Sequence, residues 1–421
     1  MDVLEERKQR LHTLIDIARV TRGWSRAQIA SVLERDPTKI YPDTGNPKMD
    51  FLVRLAEALE WPVGNVVEVV WGSADAATDA KIEIEPTATF KELNASLVEA
   101  HRAGNYTRVI EISRLMLDAA ADPEQKAHAL AREAFAWDAM GRYSKVIETL
   151  NAALTIPSVT TRLRRIMQAN MAAAQYALWD LTPALGTADY LVAWYEQNPP
   201  ESVLDEKRPA FVNYLRGNIH RRLIAIEPES AEAHANAARH SLDLAIAQHE
   251  RLADVLGDHT LLGIANGCRG ALMEIDVEQG RAAGDETVAS MLAQIEIAAK
   301  DTSLTGYALE GWGWWCIFAS NIALRHLSGS HLQQAVNQLT NHAIDFADRL
   351  GHWAMRERAF TLQLSLYERI KASTGIEVPI ALDEEQRPLI ASTMGRFPRF
   401  RAVGWQILEM NNLVREPSRS R

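Results

Sequence analysis

Two cysteines, Cys268 and Cys316, are all that the 421 residues contain. They are too few for a disulfide framework or a multi-cysteine zinc site, and they suit a reducing cytoplasm. Long apolar runs are missing too: the longest strongly apolar, uncharged stretch, Gly311–Leu324, has 14 residues, against the roughly 20 that span a bilayer. No apolar segment follows the charges of the first ten residues, so no secretory leader is expected. The chain reads as soluble and cytoplasmic, with no membrane partner. Positive charge is in deficit, 45 Lys and Arg against 55 Asp and Glu for a net of −10, so any nucleic-acid face must be local.

Motifs of catalysis are scarce in the same way. There is no Walker loop, no dinucleotide Gly-x-Gly-x-x-Gly, no His-Glu-x-x-His and no Gly-x-Ser-x-Gly. Asp43-Thr44-Gly45 spells the aspartic-protease triplet, but that chemistry needs two carboxylates sharing a proton, and the triplet occurs once in helical surroundings. His234 with His240, and His326 with His331, are six and five residues apart. Metal ligands on one helical face stand four apart. The sequence predicts no catalytic residue, no metal site and no cofactor.

What is present is helical periodicity nearly everywhere, as in Leu11, Leu14, Ile15 and Ala18, or Leu130, Ala134, Trp137 and Met140. Alternating strand-type runs are rare, the best being Lys81–Glu85. An all-α protein is expected, divided into residues 1–72, a linker at 73–88, a helical body at 89–415 and a tail at 416–421. Small polar residues without an apolar face mark the linker.

The first part predicts several short helices. Ser25 caps a helix over residues 26–33 whose face is Ile29, Ala30 and Leu33. Asp36-Pro37 caps a further short helix at Thr38–Ile40, Gly45-Asn46-Pro47 makes a loop, and residues 49–59 form another amphipathic helix. The order of Arg22–Leu33, Asp36–Ile40, Gly45–Pro47 and Phe51–Leu59 resembles the Xre or Cro/repressor-type helix-turn-helix family. In that family the helix after the turn lies in the major groove of double-stranded DNA. The resemblance implies that Arg26 opens the first helix of the pair, while Thr38, Lys39 and Tyr41 lie in the recognition segment. Arg22 and Lys48 add to a local patch in which residues 19–48 hold six cations against three anions. Pro42 stands where the family continues its recognition helix, which restricts that helix to one or two turns.

Internal repetition marks the second part. Ala103–Ile110 and Met140–Ile147 share Gly-x-Tyr-x-x-Val-Ile at a spacing of 37 residues. This resembles the tetratricopeptide repeat, whose period is about 34. Further hairpins are expected over 162–196, 208–256, 260–299, 304–349 and 352–412, stacking into a right-handed, concave α-solenoid. The stretch Trp312–Phe318 predicts buried core or a dimer surface, with a ligand-stacking cage as the alternative.

Concave faces of such stacks bind extended peptides through Asn and Arg side chains. Counted from the repeat glycines, Asn94 and Asn170 should face the groove. Asn213, Asn218 and Asn266, with Arg165 and Arg269, follow on helices whose interiors disfavour Asn. Taken singly, each Asn also fits a solvent-facing or locally bonded role. A repressor-like head on such a body resembles the RRNPP regulators of quorum sensing. The resemblance implies a homodimeric transcription factor whose repeats take a short peptide or protein effector. Two alternatives stand beside it: a scaffold whose head no longer binds DNA, and a regulator or carrier of an enzyme elsewhere. At the carboxyl end, seven arginines from Arg387 to Arg421 face only Glu409 and Glu416.

Overall fold

In a computed structural model of the chain, the described residues form helices and no strand. These are residues 24–43, 47–59, 88–375 and 386–410, with scattered positions between 7 and 19 and between 61 and 70. Arg22, linker residues 73–87, Gly45-Asn46, Arg415 and the 416–421 tail lie outside them. Contacts divide the chain into two compact units, Met1–Pro86 with Ile370–Arg421, and Thr87–Arg369. The expected boundary keeps residues 370–415 with the repeats, whereas these contacts group them with the amino-terminal residues.

In the first unit, α1 (Arg26–Val32) begins with a reciprocal cap. The Gln28 amide donates to Ser25 Oγ at 3.3 Å, and the Ser25 amide donates to Gln28 Oε1 at 2.8 Å. Ile29 and Ala30 are buried, as is the apolar face of α2 (Met49–Leu59), which includes Phe51, Leu52, Leu55 and Ala56.

The short helix expected at Thr38–Ile40 is a single turn instead. Asp36 Oδ1 accepts from the Thr38 amide at 2.7 Å and from Thr38 Oγ1 at 2.5 Å, and the Lys39 amide closes on the Asp36 carbonyl at 2.8 Å. An aspartate that satisfies the backbone locally competes with helix formation. Ile40 is then fully buried, and Pro42 follows without an amide to donate. Its carbonyl accepts from His12 Nε2 at 3.0 Å, fixing the chain in a loop.

The second unit is a run of helix pairs in which each helix packs on the next. The pairs are α3 (Phe90–Arg102) with α4 (Tyr106–Ala119), α5 (Pro123–Ala139) with α6 (Tyr143–Leu154), α7 (Thr161–Ala177) with α8 (Leu181–Gln197), and α9 (Lys207–Leu223) with α10 (Ala231–Leu256). Then follow α11 (Leu261–Glu278) with α12 (Gly284–Lys300), and α13 (Gly306–His326) with α14 (Gly329–Leu350). The all-α, solenoid-type architecture read from the sequence is therefore observed. Gly104 and Gly141, the glycines of the two sequence repeats, adopt φ of +72° and +68° at their turns, a region that L side chains enter at a cost.

The hairpin expected over 352–412 is not a pair. It is one long helix, α15 (Trp353–Thr374), followed in the first unit by α16 (Gln386–Arg396) and α17 (Phe400–Met410). Met355, Ala359, Phe360, Leu362, Leu364 and Leu366 of α15 are buried, together with Arg356 and Glu357. A helix buried around most of its circumference belongs inside a stack.

Candidate functional site

The interior of the repeat unit is assembled around α11, α13 and the start of α15. Helices α11 and α13 meet over bare backbone. A Cβ added at Gly263 would lie 2.2 Å from the Tyr307 carbonyl oxygen, and one at Gly311 would lie 2.5 Å from the Gly263 carbonyl oxygen. With no side chains at the crossing, a cavity of about 480 Å³, measured out to its mouth, opens beside it. Phe211 and Tyr214 of α9, Ile264 and Gly267 of α11, and Tyr307, Glu310 and Trp314 of α13 line it.

Glu310 is the one carboxylate in that lining. Its Oε1 accepts from Trp314 Nε1 at 3.2 Å and pairs with His352 Nε2 at 3.3 Å, while Oε2 has no hydrogen-bond partner among the described residues. His352 stands just before α15, where its Nδ1 accepts from the Met355 amide at 3.2 Å. The proton therefore sits on Nε2 and points at the carboxylate. Burial works to raise the Glu310 carboxyl, but the bonds from His352 and Trp314 hold it below its ordinary value. Burial would lower His352; Glu310 and Asp138 together raise it above the usual imidazole value. Asp138, at the end of α5, is exposed. The protein packed around it and the nearby Glu310 push its carboxyl up to about 6, against the pull of His352.

A second cluster is cationic. Arg221 Nη1 donates to Glu274 at 2.7 Å with both side chains buried, and Asn321 donates to the other Glu274 oxygen at 3.1 Å. Arg221 also lies over the Phe318 ring at 4.5 Å, and Arg222 over Tyr176 at 3.7 Å and Trp179 at 4.1 Å. Burial lowers Arg222 to about 10. Arg358 of α15 completes the cluster, 4.8 Å over Trp179; burial lowers it, with Glu357 and Glu274 acting against that. Cation–π contacts replace much of the hydration that these guanidinium groups lose.

The residues expected to bind peptide are not brought together; no hydrogen bond joins any two of the seven. Asn213 donates to Gln248 at 3.0 Å, within the α9–α10 pair, and Arg269 pairs with Glu250. Asn218 donates to the Tyr214 carbonyl at 3.0 Å and accepts from Arg221, so it alone adjoins the interior clusters. Arg165 donates to Gln168 at 2.6 Å and lies over Tyr190 and Trp194. Asn94 Oδ1 is buried without a partner. The Asn170 side chain makes no hydrogen bond among the described residues, and Asn266 accepts from Trp315 through its backbone carbonyl at 2.8 Å.

Of the expected DNA contacts, Arg26, Thr38, Lys39 and Lys48 are exposed. Tyr41 is half-buried, in ring contact with His12 at 5.0 Å and under the Arg26 guanidinium at 5.7 Å. The Trp312–Phe318 stretch divides its roles: Trp315, Cys316, Ile317 and Phe318 are buried core, while Trp314 faces the cavity. Burial pushes the Cys268 thiol up to about 12 and raises that of Cys316 as well. Neither thiol is an available nucleophile.

No family model and no curated protein matches the sequence. Among solved structures it is similar to a circular tandem repeat protein with novel repeat topology and enhanced subunit contact surfaces. The identity is 13%, over 96% of this chain and 90% of that one, with a TM-score of 0.21. A likeness of that degree carries no argument about function.

Proposed function

We propose that the chain is a non-catalytic, effector-responsive regulator. The interior of its repeat unit receives the effector, and its amino-terminal unit is a DNA-binding output module acting as a homodimer. The observation that carries the reading is the cavity within the repeat unit, whose lining sets one carboxylate, Glu310, among four aromatic rings. Among the described residues no group of His, Cys, Asp and Glu could hold a metal ion, and no helix is long and apolar enough to cross a membrane. The cavity is small beside an extended peptide, which favours a compact effector over the peptide expected from the resemblance. Arg26, Lys39 and Lys48 supply the exposed cations for phosphate contacts.

A second reading has its own support. The turn at Pro37–Lys39 offers no recognition helix for a major groove, which favours an adaptor whose amino-terminal unit binds protein and not DNA. A gel shift with the DNA upstream of its own reading frame, at 50 and 200 mM salt, separates the two at ionic strengths where phosphate contacts differ. The regulator gives a sequence-selective, salt-sensitive shift that weakens in Arg26→Ala/Lys39→Ala. The adaptor gives none.

A further inference from the structure

We infer that the interior cavity is a seat for a small ligand bearing a quaternary or primary ammonium group, held by aromatic rings and by Glu310. The inference rests on the reading that the repeat interior is a receptor site, and it adds the chemistry of the occupant.

Four aromatic side chains from two helices share the lining: Phe211 and Tyr214 from α9, Tyr307 and Trp314 from α13. Phe211 and Tyr214 are stacked at 6.2 Å. Trp314 is braced by Phe318 at 6.4 Å and by the edge of His352 at 5.6 Å. Faces of electron-rich rings around a confined space attract cations. Carboxylate charge agrees. Glu310 Oε1 is engaged by Trp314 and His352, and Oε2, on a carboxylate that is 27% exposed, is free to meet a ligand in a lining otherwise made of rings, Ile264 and glycine backbone. Asp138 stands close enough to act on Glu310, His352 and Tyr307. Among the charges that act on lining groups, the carboxylates Glu310, Asp138 and Asp258 stand against the His352 imidazole and the Arg221 guanidinium, which Glu274 already pairs. An anion would meet repulsion there, and a neutral apolar ligand would leave the Glu310 oxygen stripped of water.

The size of the cavity limits the ligand to a small molecule. Its enclosed room, about 120 Å³, holds an ammonium head and a short substituent. Gly263, Gly267 and Gly311 join the lining where α11 and α13 meet backbone to backbone.

The test uses choline and its uncharged carbon isostere, 3,3-dimethylbutan-1-ol, titrated calorimetrically into the full-length protein. Choline should bind at least about tenfold more tightly than the isostere, as expected for a partly desolvated cation–π and carboxylate site. Glu310→Gln should remove most of that preference. Because Glu310 also holds Trp314 and His352, Tyr307→Leu provides a second variant at a half-exposed position; it should weaken choline several-fold and leave circular dichroism unchanged. Equal binding of both probes, binding of neither, or choline affinity untouched by both variants would overturn the inference. Choline binding without a DNA shift would sustain it and remove the regulator reading. A shift without choline binding would do the reverse.

Discussion

Gly141 and Trp353 touch across the repeat unit. A Cβ built on Gly141 would lie 2.6 Å from Trp353 Cβ, so the turn of the second helix pair and the start of the last helix are in contact. The chain of pairs therefore meets its own end. Gly104 makes the equivalent turn one repeat earlier, with nothing within 4 Å of its Cβ position.

These two glycines give a matched comparison. Gly104→Ala should cost about 1–2 kcal/mol from positive φ alone. Gly141→Ala should cost that plus the clash with Trp353, a further 1–3 kcal/mol on the order of overpacking in cores. Denaturant unfolding of the two variants checks the difference.

A second comparison tests the α11–α13 crossing. Gly267→Ala meets only Gly311 Cα at 3.7 Å, an ordinary contact, and should be neutral or gain up to about 1 kcal/mol of helix propensity. Gly263→Ala meets the Tyr307 carbonyl oxygen at 2.2 Å. Backbone cannot rotate away, so thermal stability should fall clearly, as the melting temperature of each variant will report.

Much of the fold was legible because its signals are local. Helical periodicity and turn glycines located the hairpins at 162–196, 208–256, 260–299 and 304–349, close to the observed pairs. The interior was not legible. Tyr214, Tyr307, Glu310, His352 and Arg358 lie on separate helices and converge only after the stack closes, and no spacing along the chain announces that closure. The apolar stretch at Trp312–Phe318 was the one available signal, and it led to the right helix without showing that Trp314 alone faces the cavity. The 352–412 segment was read as a hairpin because an all-round buried helix such as α15 has no polar face to mark its position. At Thr38–Ile40 the expected helix gave way to hydrogen bonds within Asp36–Thr38, a competition that helix-start signals do not weigh.

The Glu310–His352 pair predicts a pH dependence. A raised imidazole stabilises the fold fully below its unfolded value of 6.5, and this is lost as pH rises through the folded value. A lowered Glu310 carboxyl stabilises above its unfolded value of 4.5, and this is lost as pH falls through the folded one. The raised Asp138 carboxyl has the opposite sign for an acid: between 3.8 and about 6 the fold loses stability as pH rises. His101, His128, His220 and His249 are lowered by burial and act with the opposite sign near pH 6.5, so the His352 contribution is read as a difference. The melting-temperature advantage of the wild type over His352→Gln should shrink between pH 6.5 and 8.

Glu274 compensates buried Arg221 and also binds Asn321. Glu274→Gln leaves Arg221 uncompensated beside Arg222 and Arg358, and should cost about 3–5 kcal/mol. Urea unfolding of this variant, with Lys145→Gln of the exposed Lys145–Glu148 pair as the control, measures it.

The cationic cluster is complete only if α15 packs against the α7–α8 turn, and a double-mutant cycle between Trp179 and Arg358 tests that packing most directly. Trp179→Leu, Arg358→Met and the double variant should show a coupling of about 0.5–2 kcal/mol in unfolding free energy, the range of a partly desolvated cation–π contact. A coupling indistinguishable from zero would mean that α15 does not lie against the α7–α8 turn, contradicting the packed repeat unit and the cationic cluster built there.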